Sequence, residues 1–198
     1  MHTTLLATDV LDWLSQLSLT PVTREALEAR LEKEQDYNRF FPDDAFLTLS
    51  LVCDRLLAQE EMRLVNIAIF IDDRLFHDKG KGWRYSELPP DAELYRLGIQ
   101  GIDQTALIRL GAPFRGLSTT QQDEVLHRIQ AGNPEGEIWK TLSAKRFFEE
   151  LLTEATEIFV SHPRVQMQMG YTGMGDANGW QSIGLPGTFP TPQPIPEA

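Results

Sequence analysis

The chain has 198 residues, of which 41% are hydrophobic and 24% charged, enough for one substantial core and short for two independent ones. Its 29 acidic and 18 basic side chains give a formal net charge of -11, which repels phosphate backbones and anionic bilayers and argues against nucleic-acid and membrane-surface binding. Cys53 is the single cysteine, so no internal disulfide can form, and its place in Leu49-Ser-Leu-Val-Cys53 predicts a small buried side chain.

The amino-terminal residues carry no basic segment followed by an apolar stretch and a small-residue cleavage site, and no run approaches the ~18 apolar residues of a membrane span. On its own sequence the chain is expected in the cytoplasm, with no direct membrane insertion.

Leu5 to Leu17 and Pro21 to Glu34 read as a helical hairpin within residues 1–36, with Thr20 as an N-cap and Pro21 at the first helical position. The second helix, rich in Glu and Arg, reads as largely solvated. Pro42-Asp43-Asp44 starts a helix reaching about Ala58. After Glu60, Leu64, Ile67, Ala68, Ile71 and Leu75 recur at helix-face spacing, which predicts one buried face and an opposite one carrying Arg63, Asp72 and Arg74. Pro89-Pro90-Asp91 opens the next helix, carrying Leu94, Leu97, Ile102 and Leu107. Gly98 and Gly101 inside it each cost about 1 kcal/mol of helix stability. A neighbouring helix crossing closely there is the favoured reason, and a break in the helix is the other.

Ser118-Thr-Thr-Gln121 is a capping box ahead of a helix closed by Ala131-Gly132. A final long helix runs from about Ala144 to Val160, with Phe147, Phe148, Leu151, Leu152, Ala155, Ile158 and Phe159 on one wide apolar face, and stops before His162-Pro163. Beyond it no periodicity returns. Gly170 to Gly187 is glycine-rich and aromatic, and the segment from Pro186 to Pro196 favours an extended polyproline conformation. Glycine lets backbones approach closely, while Tyr171 and Trp180 supply apolar area with a polar tip, a pairing suited to docking on another protein. The fold expected is all-α, a compact multi-helix bundle over residues 1–163 followed by a non-helical Gly/Trp/Pro-rich arm over 164–198. The proline tail either docks on a partner or moves freely; the neighbouring Trp180 favours docking.

Few residues suggest chemistry. Asp73 and His77 stand four apart on one helix face, a spacing used by paired metal ligands, with Asp72 and Asp78 beside them. A solvated helix end is the favoured reading, because no second carboxylate-and-histidine helix completes a site. His2 is terminal, His127 sits beside Arg128 on an amphipathic helix, and His162 in Ser-His-Pro is expected to hydrogen-bond locally. Gly-x-Ser-x-Gly is absent. Gly170-x-x-Gly173-x-Gly175 follows no strand and leads into no Gly-Lys-Ser/Thr, which argues against nucleotide binding. No catalytic, cofactor-binding or metal residue is therefore expected in this chain.

Phe70-Ile-Asp-Asp-Arg-Leu75, Tyr95-Arg-Leu-Gly-Ile99, Gly101-Ile-Asp103, Phe114 to Ile129 with Leu117-Ser118 and Gln121-Gln122, Phe147-Phe148, Thr156, Phe159, Ser161-His-Pro163, Gly179-Trp180 and Ile183-Gly184-Leu-Pro-Gly187 follow one another in the chain. In that order they resemble the gluconate 2-dehydrogenase subunit 3 family, the small subunit of flavin-dependent sugar and polyol dehydrogenases, over about Phe70 to Gly187. The resemblance implies an all-helical, non-catalytic subunit that binds, stabilises and helps mature a large glucose-methanol-choline-type flavoprotein. FAD would then belong to that partner, and a cytochrome c electron acceptor is a further partner implied. Tyr171, Trp180, Ile183, Pro186 and Phe189 become the partner-binding candidates.

Many members of the family carry a twin-arginine export signal, whereas Met1 to Leu17 has no arginine pair. Periplasmic location would then require export together with the partner. The stretch Val165 to Asp176 is also longer than the short glycine segment usual there. Two alternatives remain: a stand-alone helical enzyme with a metal at Asp73 and His77, and a subunit whose loop from Val165 to Gly179 tunes the partner's substrate pocket.

Overall fold

The structure, a computed structural model, describes residues 7–33, 40–59, 61–82 and 85–171. In chain order the helices are α1 (Ala7–Gln16), α2 (Pro21–Lys33), α3 (Asp43–Leu56), α4 (Ile67–Phe76), α5 (Asp91–Leu110), α6 (Thr119–Gln130), α7 (Ala144–Ser161) and α8 (Pro163–Gln168), with 3-10 turns at Phe114–Gly116 and Ile138–Lys140. No strand occurs among the described residues, as the helical periodicity predicts. None of these helices is long and apolar enough to cross a membrane. By contact the chain divides into two units, residues 1–35 with 159–198 and residues 36–158. Periodicity does not reveal such a division, because it marks the buried face of a helix without saying what covers it.

The first unit joins α1, α2 and α8. Val10 and Leu14, and Leu27 and Leu31, are paired four residues apart on their helices and form its core, with Trp13, Leu17, Leu19 and Met167 packed around them. Thr20 caps α2 as expected, its Oγ1 accepting the Thr23 N–H at 3.4 Å. The absence of periodicity from 164 onward predicts irregular chain, yet α8 forms there. Pro163 occupies its first turn and His162 caps it, and six residues are too few to display a hydrophobic period.

The second unit buries Leu49, Val52, Ile67, Ile71, Tyr95, Ile99, Ile102, Phe114, Val125, Phe147 and Leu151, with α3 packed on α4 and α5, and α5 on α6. One expectation for α4 fails. Asp72 and Asp73 are buried, at 1% and 7% exposure, so the helix has no open polar face. Arg63 lies ahead of it and pairs with Asp54, while Arg74 reaches across to Glu154 and Asp91. The two α5 glycines do mark close approaches. A Cβ at Gly98 would strike the Phe147 ring and one at Gly101 the Trp139 ring. It is aromatic side chains, from α7 and from the Ile138–Lys140 turn, that fill the grooves, rather than a crossing backbone.

Buried polar side chains clamp the connections. Asp72 accepts the N–H groups of Phe40 and Phe41, the latter at 2.9 Å. Gln59 takes both the Leu64 and Val65 N–H groups on its Oε1 and donates to the Val65 carbonyl. Asp103 accepts the Phe114 N–H at 2.9 Å, and the predicted capping box of α6 closes between Ser118 and Gln121.

Candidate partner-binding site

The arm expected to dock leaves the described structure at the end of α8. Gly170 takes φ +65, its N–H donates to the Met167 carbonyl at 3.0 Å, and the Tyr171 N–H donates to Gln166 at 2.8 Å. That pair of bonds is a Schellman motif, in which a left-handed glycine closes the helix and fixes the direction of departure. Tyr171, 38% exposed, and Met169, 67% exposed, stand at this exit. Of the five partner-binding candidates, Tyr171 alone falls within the described residues; Trp180, Ile183, Pro186 and Phe189 lie outside them. In the segment from Val165 to Gly179, Val165 through Gln168 are helical and Val165 is buried, so any loop starts after α8.

Inside the second unit lies a charge cluster. Glu154, 3% exposed, receives two N–H groups of Arg74 at 2.7 and 2.9 Å, the Tyr95 hydroxyl, and the Lys81 ammonium at 3.2 Å. Arg74 also donates to Asp91 at 2.6 Å. Burial alone would lower Arg74, but its bonds to Glu154 outweigh that and hold it above its usual range. Burial, then the Glu154 charge, pushes the Tyr95 phenol well above its ordinary value. Arg74, Tyr95 and Lys81 all point at the enclosed Glu154 carboxylate, and Arg74 donates as well to Asp91 and to the Lys79 carbonyl, so the cluster ties α4, α5 and α7 together. The sequence carries a signal for it: Glu154 occupies a position in the apolar stripe of α7 set by Phe147, Leu151 and Ile158.

The remaining candidates resolve locally. His77 ends α4, and its Nδ1 lies 2.9 Å from the Asp73 carbonyl oxygen and 3.3 Å from the Asp73 carboxylate. The four-residue spacing thus produces a helix-end contact within one turn. Among the described residues no three His, Cys, Asp or Glu side chains converge as a metal site would require. The Cys53 thiol, 1% exposed, is pushed far up by burial and then by Asp54 and Glu154, which leaves it unreactive. His162 is buried at 1% exposure and its Nδ1 accepts the Arg164 N–H at 3.3 Å, the local bonding its sequence position suggested. A groove of about 370 Å³ on the second unit has Leu56, Leu126, Phe148 and Leu152 in its lining with Arg55, Asp123, His127 and Gln130. It is an apolar notch edged by an ion pair, since Arg55 and Asp123 bind each other bidentately at 2.9 and 2.7 Å.

Comparison with known proteins gives one match. The family described as gluconate 2-dehydrogenase subunit 3 aligns with residues 43–187, starting at the first residue of α3, upstream of Phe70, and continuing through α8 to Gly187. Helices α1 and α2 fall outside it. No curated protein and no solved structure matches the chain. With helices α3 to α8 and the Gly-Trp segment inside one continuous match, the chain belongs to the gluconate 2-dehydrogenase subunit 3 family.

Proposed function

We propose that this chain is the non-catalytic small subunit of an FAD-dependent sugar, polyol or glycoside dehydrogenase, and that it binds, stabilises and helps mature a glucose-methanol-choline-type catalytic subunit. The observation that carries this reading is the family match, whose description is that of a dehydrogenase subunit and whose extent takes in the body and the Gly-Trp segment together. The chemistry of the described residues agrees with it. Buried Asp54, Asp72 and Glu154 and the half-buried Arg74 bond within the chain, which agrees with a contribution made through the surface. Tyr171, Trp180, Ile183, Pro186 and Phe189 supply the docking contacts in this proposal, FAD resides in the large subunit, and a cytochrome c accepts the electrons. In this proposal the complex works in the cytoplasm, or in the periplasm if it is exported as a whole.

Co-expression of a tagged copy with the neighbouring flavoprotein gene product, followed by affinity purification and a visible spectrum, tests the proposal. A yellow stoichiometric complex that oxidises sugars, with this chain colourless and inert alone, supports it; a colourless chain that elutes by itself refutes it. Trp180→Ala is expected to weaken the complex by at least ~2 kcal/mol, about thirtyfold in Kd, as for a buried interface aromatic. An unchanged Kd would remove the arm from the interface while leaving the subunit reading open to the first test.

A further inference from the structure

The ring of His162 lies at the start of α8, in the unit that α8 forms with α1 and α2. It is 1% exposed, it is the N-cap of α8, and its Nδ1 accepts the Arg164 N–H at 3.3 Å. Only a neutral imidazole can do this, because a protonated ring carries hydrogen on both nitrogens and would set donor against donor. Burial and the Arg164 and Arg30 guanidinium groups disfavour a further positive charge on it, and together they outweigh the Arg30 backbone, which favours one. Arg164 follows on its own helix, and Arg30 of α2 reaches the adjoining peptide, its Nη1 donating to the Ser161 carbonyl at 2.6 Å. The same unit also holds the acids Asp9 and Asp12 on α1 and Glu25 and Glu28 on α2, with Arg24 beside them. A six-residue helix has too few internal bonds to persist without its cap and its tertiary contacts.

We infer that His162 is an acid-sensitive latch at the root of the carboxyl-terminal arm: a proton taken up by its ring undoes the cap of α8 and loosens the α1, α2 and α8 unit from which Tyr171 departs. The electrostatics agree with the geometry. Burial first, then Arg164, lowers the ring to about 4, whereas a free histidine titrates near 6.5. The sign follows from linkage. Below about pH 6.5 the unfolded segment takes up a proton that the folded one refuses, so stability present at neutral pH is lost as the pH falls toward 4. The latch is a property of the chain itself and does not rest on the partner reading.

Hydrogen exchange of the amides from Arg164 to Tyr171, measured on the full chain at pH 6.5 and 4.5 and corrected for intrinsic rates, tests it. Protection is expected to fall roughly thirtyfold in the wild type by this linkage. His162→Asn keeps a capping oxygen and cannot titrate, so its loss should be several times smaller. Equal losses in the two proteins would overturn the inference. A second measurement stands should the Asn variant not fold: the wild-type ring followed by NMR must titrate well below an ordinary histidine, and a value near 6.5 or above overturns the latch.

Discussion

Gly98→Ala sets two effects of known sign against each other. By intrinsic propensity the change stabilises the middle of α5 by about 1 kcal/mol. In this fold the new Cβ would lie 2.5 Å from Cδ2 of Phe147 and closer still to its Cε2 and Cζ, whereas ordinary contact begins near 3.4 Å, so the ring must withdraw by about 1 Å. Phe147 has nowhere open to go. It is 1% exposed and stands edge-on to Tyr95 at 6.2 Å and beside Trp139 at 6.0 Å, and Tyr95 is bonded to Glu154. Overpacking of this kind costs about 1–3 kcal/mol, and an enclosed rigid ring takes the upper end; less the propensity gain of about 1 kcal/mol, the variant is expected to be about 2 kcal/mol less stable by urea denaturation. Gly101→Ala meets Trp139 at 2.5 Å; that ring is half-buried on a short 3-10 turn, but its Nε1 donates to the Gly101 carbonyl and the Thr105 hydroxyl, so moving it also strains those bonds and its cost should be comparable. Combining Gly98→Ala with Phe147→Leu should recover at least ~1 kcal/mol through their coupling. A Gly98→Ala protein more stable than the wild type would show that the α5–α7 approach is not what the glycine serves.

Ala58 holds φ +51 after α3, with the Gln59 N–H donating to the Asp54 carbonyl at 2.9 Å, a position suited to glycine; Ala58→Gly should therefore stabilise by about 1 kcal/mol, and a loss in the denaturation midpoint would contradict that. Glu154→Ala leaves Arg74 and Lys81 facing a buried gap, and a destabilisation of about 3–5 kcal/mol is expected, with Glu154→Gln milder. A loss of under ~1 kcal/mol for the alanine variant would mean that water or a rearranged partner replaces the carboxylate.

The helices were legible because their signals are local. The capping box at Ser118 and Gln121, Thr20 ahead of Pro21, the glycine after Ala131 and the wide apolar face from Phe147 onward each depend on residues within one or two turns, and each forms at that place. The family could be recognised for a related reason, since an ordered series of short patterns survives without knowledge of contacts. The start of α8 was missed because one turn and a half carries no period, and its existence depends on Val10, Leu14, Leu27 and Leu31 from the other end of the chain. Periodicity sets Asp72 and Arg74 opposite the buried face of α4, and polarity alone gives no hint that backbone amides and a distant carboxylate satisfy them. Composition and periodicity by themselves determined an acidic, all-helical chain, its helix ends, and the absence of the standard hydrolase and nucleotide-binding motifs. Only the tertiary structure decided which polar groups are enclosed, which aromatic rings fill the glycine gaps of α5, and how the two chain ends share one unit. Those outcomes rest on contacts between residues as far apart as Arg30 and Ser161, or Arg74 and Glu154, and long-range pairing leaves no mark on the local pattern of a single sequence.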